Sequence, residues 1–218
     1  MSPIVSFAGF FAIVGGIIFV GWWKEKKRTE VLQAFAASLK FSFSPDSNDS
    51  LPALQDRFHL FSQGHARKMS NVMRGSANGI DVTLFDYRYT TGSGKSSSTW
   101  NQTVILFQSG LLQLPAFTLR PESVFHRIKQ AFGYPDIDFD THPEFSKQYL
   151  LQGADGNGVR ALFSDALLAH FAQSKGVSAE GIGDQLLYCR VSKRVPPEAL
   201  KVFMQEGFGV FALVKTAG

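Results

Sequence analysis

The sequence predicts an α+β protein: an N-terminal transmembrane helix followed by a mixed domain with a largely antiparallel sheet and packed helices. Three observations predict it. Ile4 to Trp23 is a run of twenty residues without a charge, followed at once by Lys24-Glu25-Lys26-Lys27-Arg28. Residues 67–119 alternate polar and apolar side chains around turn clusters, as strands do. Helical spacings of apolar residues gather mainly after those strands rather than between them, which separates α+β from alternating β-α-β.

The apolar run comes first in the chain. Rising about 1.5 Å per residue, it covers the roughly 30 Å hydrocarbon core of a bilayer. Met1-Ser2-Pro3 carries no basic side chain and the run ends in Trp22-Trp23, which argues against a cleaved secretory signal. Paired indoles suit the headgroup boundary, and cations just beyond them favour the cytoplasmic side. Trp22, Trp23, Lys24, Lys26, Lys27 and Arg28 are therefore the expected membrane-interface residues. The helix should run with its N-terminus out and the domain in the cytoplasm. Ala8, Ala12 and Gly16 recur every four positions, a stripe through which a membrane-protein partner or a second copy could approach.

The organisation read from this is a transmembrane helix over 4–23, a juxtamembrane basic segment and helix over 24–40, and a cytoplasmic domain over 41–218. A sub-boundary near 133–140 is a candidate. The net charge of +4 comes mostly from the five residues after the anchor, which hold four cations and one anion. With no basic cluster left on the domain, nucleic acid is not an expected partner. The lipid bilayer is. A 44% hydrophobic composition with 21 Phe supplies ample core. The single cysteine, Cys189, lies in an apolar run and reads as a small buried hydrophobe.

Along the domain, Val31, Leu32, Phe35, Ala36 and Leu39 have helical spacing, so the helix can continue straight out of the span. Phe41 to Ser44 alternates as a short strand ended by Pro45, and Ser50 is placed to cap a helix over 51–58. Residues 67–74 and 80–89 read as a hairpin around Gly75 to Gly79. Ile80, Val82 and Leu84 share one side of the return strand and Phe85, Tyr87 and Tyr89 the other, implying a bulge near Leu84 or burial on both faces. Residues 103–107 read as a central strand. Pro115 makes 112–119 an edge or bulged one. Pro121-Glu122 opens a helix with Val124, Phe125, Ile128 and Phe132 inward. Thr141 to Glu144 has capping-box spacing for a helix through Tyr149, and Val159 to Phe171 forms one long apolar helical face. Strands follow over 177–182 and 185–195. A helix from Pro196-Pro197 is expected to end at Gly207.

Chemistry-bearing motifs are few. Gly92-Ser93-Gly94-Lys95-Ser96 looks like part of a phosphate loop, but Tyr89 stands where its first glycine belongs and no helix follows, so it reads as a hairpin loop. Asp136, Asp138 and Asp140 fall on one face of an extended segment near His142 and Glu144, and are the best metal-like group in the chain. Their spacing lacks the glycine and terminal glutamate of a calcium loop. His59 and His65 fit no zinc pattern, and His170 sits on an apolar helical face. No catalytic, cofactor or metal residue is assigned.

Phe85-Asp86-Tyr87-Arg88-Tyr89-Thr90-Thr91-Gly92-Ser93-Gly94, Gln102-Thr103-Val104, His142-Pro143-Glu144-Phe145 and Tyr149-Leu150-Leu151 together resemble an uncharacterised family of bacterial membrane-anchored proteins. The resemblance covers most of residues 30–214. It implies a bacterial inner-membrane protein with an N-terminal anchor and brings no catalytic residues. The reading of the sequence is a membrane-anchored binding or scaffold domain. The alternative is a membrane-tethered hydrolase or metal-dependent enzyme using the acids of 136–144.

Overall fold

A computed structural model describes residues 3–125 and 134–216, the side chains of residues 3–12, 124–125 and 216 excepted. Helix α1 (Pro3–Ser38) leads into β1 (Ser42–Asp46), then α2 (Leu51–Gln55) and α3 (His59–Ser62). Strands β2 (His65–Ala77), β3 (Ile80–Thr91), β4 (Ser98–Gln108) and β5 (Leu114–Pro121) follow, then α4 (Glu122–Phe125) and α5 (Pro143–Gln148). The chain closes through β6 (Tyr149–Gly153), α6 (Gly156–Leu162), α7 (Asp165–Gln173), β7 (Val177–Gly183), β8 (Gln185–Arg190) and α8 (Leu200–Thr216). All eight strands form one antiparallel sheet in the order β1-β2-β3-β4-β8-β7-β5-β6. Strands from either side of the suggested 133–140 boundary share that sheet.

The sheet is covered on both faces. Against one lie Leu32 and Ala36 of α1 together with α5 to α8, packed on Met73, Leu84, Ile105, Phe107, Leu119 and Tyr188. Against the other, among the described residues, lie α2, α3 and the link between them, whose Leu54, Phe58 and Phe61 meet Phe85, Tyr87, Val104 and Cys189. This settles the puzzle of β3. The strand pairs with β4 in unbroken register from Asp81↔Gln108 to Thr91↔Ser98, so its two apolar sets are simply buried on opposite faces. The bulge lies on β2 instead, where Asn71 and Val72 stand opposite Phe85 alone and Asn71 takes a left-handed φ of 53°. The β2–β3 turn is Asn78-Gly79, both left-handed, the conformation that closes two-residue hairpins.

Several expectations change on contact with the fold. Strand β1 runs through Pro45 at the edge of the sheet, one of the places where a strand tolerates proline. Strand β5 is bulged beside Pro115 but lies between β7 and β6 rather than at an edge. The helix expected over 51–58 stops at Gln55, and Ser50 does not cap it; its Oγ accepts from Arg74. His142, not Thr141, is the residue before α5. The long apolar face over 159–171 is broken at Phe163-Ser164 into α6 and α7. Gly207 does not end the last helix. A Cβ there would come within 3.2 Å of Ile105 and Phe107, so the glycine lets α8 lie close on β4 and the helix continues to Thr216. The helix expected after Pro121 is described only to Phe125; Ile128 and Phe132 lie outside the described residues.

One unbroken helix carries the apolar run into the domain. The N-terminal transmembrane span is not shown by the fold, because among the described residues no helix is long and apolar enough to cross a membrane. Residues 4–12, the first half of the run and the place of Ala8 and Ala12, lie outside the described side chains. From Ile13 to Trp23 the large apolar side chains stand away from the domain, with Ile17 68% and Trp22 57% exposed.

Candidate functional site

Two buried polar clusters occupy the two faces of the sheet. The first fastens α1. Asp86 on β3 follows Val82 and Leu84 on the face toward α1, where the alternation would otherwise place a third apolar side chain. Arg28 meets it with two hydrogen bonds of 2.7 Å, from Nε to Oδ2 and from Nη2 to Oδ1. Asn71, turned by the β2 bulge, donates to Oδ2 at 3.0 Å and accepts from Thr29, while Thr103 donates to Oδ1 at 2.9 Å. Arg194 adds a bond of 3.2 Å and holds Glu25 through two more of 2.6 and 2.8 Å. Arg28 also donates to the carbonyl of Val195. Burial alone would raise the Asp86 carboxyl, but the bonds and charge of Arg28, with Arg194 and Asn71, hold it below the usual carboxylate range.

The clamp therefore joins Glu25, Arg28 and Thr29 of the helix to β2, β3, β4 and the segment after β8. Arg28, expected at the bilayer boundary with Lys24, Lys26 and Lys27, is a nearly buried structural cation, its side chain 13% exposed. Lys26 and Lys27 instead reach back over the rings of Trp22 and Trp23, each 5.4 Å from a centroid. Beside the clamp a polar cleft of about 350 Å³ is lined by Lys68, Arg88, Asn101 and Arg194 among others.

The second cluster lies beneath α2 and α3. Gln152, Thr118 and Glu180 are cross-strand neighbours on β6, β5 and β7, a polar row in the floor of a cavity of about 260 Å³. Phe58, Phe117 and Ile182 add apolar walls. Glu180 accepts from the backbone of Leu60 at 3.0 Å, and burial pushes its carboxyl up to about 7 against the opposing charge of Arg120. His59 is pushed down to about 4, by burial first and then by Arg120. Arg120 reaches Gln152 at 3.3 Å and the His59 ring at 3.5 Å. Thr118 Oγ1 and Arg120 Nε have no hydrogen-bond partner among the described residues. A carboxyl titrating near neutrality beside an under-partnered hydroxyl and guanidinium can give or accept hydrogen bonds to a small ligand.

The motifs singled out in the sequence are scattered. Lys95 sits in a single 3-10 turn at the β3–β4 hairpin tip, with no helix after it. The acids of 136–144 do not converge: Asp136 Oδ1 caps the backbone N–H groups of Ile137 and Leu151, and it is the carbonyl of Asp138 that accepts from Arg160. Among the described residues no group of three or more His, Cys, Asp or Glu could hold a metal ion. Cys189 is buried, and burial pushes its thiol far up. His170 lies edge-on to Phe171. Asp86 stood in the phrase that carries the family resemblance but was given no role there, and Arg120 and Glu180 carried no motif. The signal for Asp86 and Glu180 was a charge set within a strand, in Leu84-Phe85-Asp86-Tyr87 and in Ser178-Ala179-Glu180-Gly181.

No protein-family model and no curated protein matches the chain. Among solved structures, the crystal structure of the mycobacterial trehalose monomycolate transport factor A, TtfA, is similar in fold, with a TM-score of 0.60. Identity is 13%, and the likeness covers 87% of this chain and 93% of that one. What is shared at that distance is the architecture.

Proposed function

We propose that the chain is a single-pass membrane protein of the bacterial inner membrane, N-terminus out, whose cytoplasmic domain binds a membrane-protein partner as a scaffold or accessory factor. The observation that carries this is the continuity of α1. Its 36 residues extend for about 54 Å, apolar and outward-facing at one end and ion-paired into the sheet at the other. From Ile13 to Trp23 the large apolar side chains are not covered by the domain among the described residues, and lipid is the environment that suits them. The clamp makes anchor and domain one lever, which a flexible tether would not. The fold neighbour is a transport factor, and an accessory role of that kind is consistent with a domain held rigidly at a membrane surface. Membership in the uncharacterised anchored family is part of the same proposal.

The test is fractionation of the full chain, followed by affinity purification from detergent-solubilised membranes beside a 24–218 fragment, which keeps Glu25 and Arg28 of the clamp. Alkaline carbonate should leave the full chain in the membrane pellet, and the specific partners should be lost with the fragment. Recovery of the intact chain as a freely soluble species without detergent would sink the reading. The cavity at Glu180 favours a second, compatible reading, in which the same domain also holds a small hydrogen-bonding ligand. Native mass spectrometry of the purified chain should then show a bound small molecule that Thr118→Val diminishes.

A further inference from the structure

We infer that the β3–β4 hairpin tip docks on anionic lipid headgroups of the bilayer that α1 enters, so that the domain stands on the membrane on two feet. The inference rests on the anchoring proposed above and adds to it an orientation and a lipid class. Its basis is the direction of α1 on the sheet. Arg28 of α1 meets Asp86, whereas Phe41, just past the helix end, lies against Gly75, which pairs with Val82. Travelling along α1 toward its C-terminus thus means travelling backward along β3. Toward its N-terminus the helix points the way β3 runs, to Thr91 and the tip.

The lengths then decide whether the tip can reach. From Arg28 back to Trp23 the helix rises about 8 Å. From Asp86 to Thr91 the strand advances about 17 Å, before the tip itself is counted. With twice the reach, the tip meets the plane of the tryptophans even where β3 leans about 60° from the helix axis.

The chemistry at that end suits headgroups rather than hydrocarbon. Residues 87–101 hold two cations, Arg88 and Lys95, and no acid. Both are exposed. Ser93, Ser96, Ser97 and Ser98 offer hydroxyls, and no apolar side chain projects from 92–98 to enter the bilayer. Lys193, on the segment whose carbonyl accepts from Thr103, adds a third exposed cation. Arg88 also lines the polar cleft beside the foot of α1, with Asn101 next to it. Gly92, left-handed at φ 74° with Ser96 O only 2.5 Å from where a Cβ would lie, keeps the tip tight and so presents Lys95 at a defined place. Phosphate oxygens of anionic lipids would meet these cations and hydroxyls while the anchor holds them close.

Cys189 is buried, so a cysteine at Ser96 can carry the only reactive label. The experiment uses the full chain in nanodiscs of phosphatidylcholine with and without phosphatidylglycerol, a fluorophore at Ser96→Cys, and a headgroup-attached spin-label quencher. Ser76→Cys, on β2 opposite Asp81 at the far end of the hairpin from the tip, is the control. Quenching at Ser96 should exceed that at Ser76 by about two-fold or more in phosphatidylglycerol discs, and Lys95→Glu should reduce it toward the control. Equal quenching at the two positions, in discs from which carbonate cannot strip the chain, overturns the docking and leaves the anchor standing. Chain that carbonate strips away overturns both. Quenching that ignores phosphatidylglycerol and Lys95→Glu overturns the recognition of anionic headgroups.

Discussion

The two polar clusters of this protein sit on opposite faces of one sheet and are built on opposite terms. Asp86 has each of its oxygens met by donors from two arginines, an asparagine and a threonine, and its carboxyl is held low. Glu180 shares its face with Arg120 but pairs with no guanidinium directly, and its carboxyl is held high. Saturated, a buried carboxylate is a rivet. Glu180, met by the backbone N–H groups of His59 and Leu60 and by no guanidinium among the described residues, is the kind of group that keeps a proton. The contrast separates the part of the domain that holds α1 from the part that encloses a cavity.

The largest expected effect breaks the rivet. Asp86→Ala leaves Arg28 without a counter-charge in a nearly buried site and Arg194 with Glu25 alone, which costs about 3–5 kcal/mol. Thermal unfolding in detergent should fall by about 10 °C, and hydrogen exchange should rise in residues 24–38. An unchanged melting curve would mean that the clamp does not hold the helix.

The next effect tests the open cluster through pH. Glu180 has a folded pKa near 7 against 4.5 for the free group, so the folded state holds its proton more tightly and stability is lost as pH rises through that window. The loss is on the order of 3 kcal/mol. His59, folded near 4 against 6.5, acts with the opposite sign: stability is lost as pH falls through its window. In the natural chain the two largely cancel between about pH 4.5 and 6.5. His59→Gln should unmask a stability that falls from pH 4.5 to 7, and Glu180→Gln one that falls from pH 6.5 to 4. Denaturant melts of the two variants with parallel pH profiles would refute the assignment.

Smaller effects sharpen the boundary of the clamp. Glu25 is bonded twice to Arg194 but its side chain is 59% exposed, so Glu25→Ala should cost about 1 kcal/mol or less in the same melts. A loss as large as that of Asp86→Ala would extend the rivet to the helix surface. Lys147→Ala, which removes a pair to Glu144 in open solvent, should leave the melting curve where it was.

Much of the fold was legible before any coordinates. The β2–β3 hairpin, the turn at Gly183, the bulge beside Pro115 and the helix continuing from the apolar run all follow from local rules of spacing and turn chemistry. Local rules failed where a distant contact intervened. Gly207 reads as a helix stop, yet β4 lies beneath it and the close approach is what the glycine serves. Arg28 reads as one of four boundary cations, and only the arrival of Asp86, fifty-eight residues away, takes it out of that set.

What the sequence determined by itself was the apolar rod, the charge at its end, the hairpins and the α+β class, because each rests on spacing within a few turns of helix or strand. The tertiary structure alone decided which charges are rivets and which are left open. A buried ion pair is defined by the partner that displaces its water, and for Asp86 and Glu180 those partners come from elements remote in the chain.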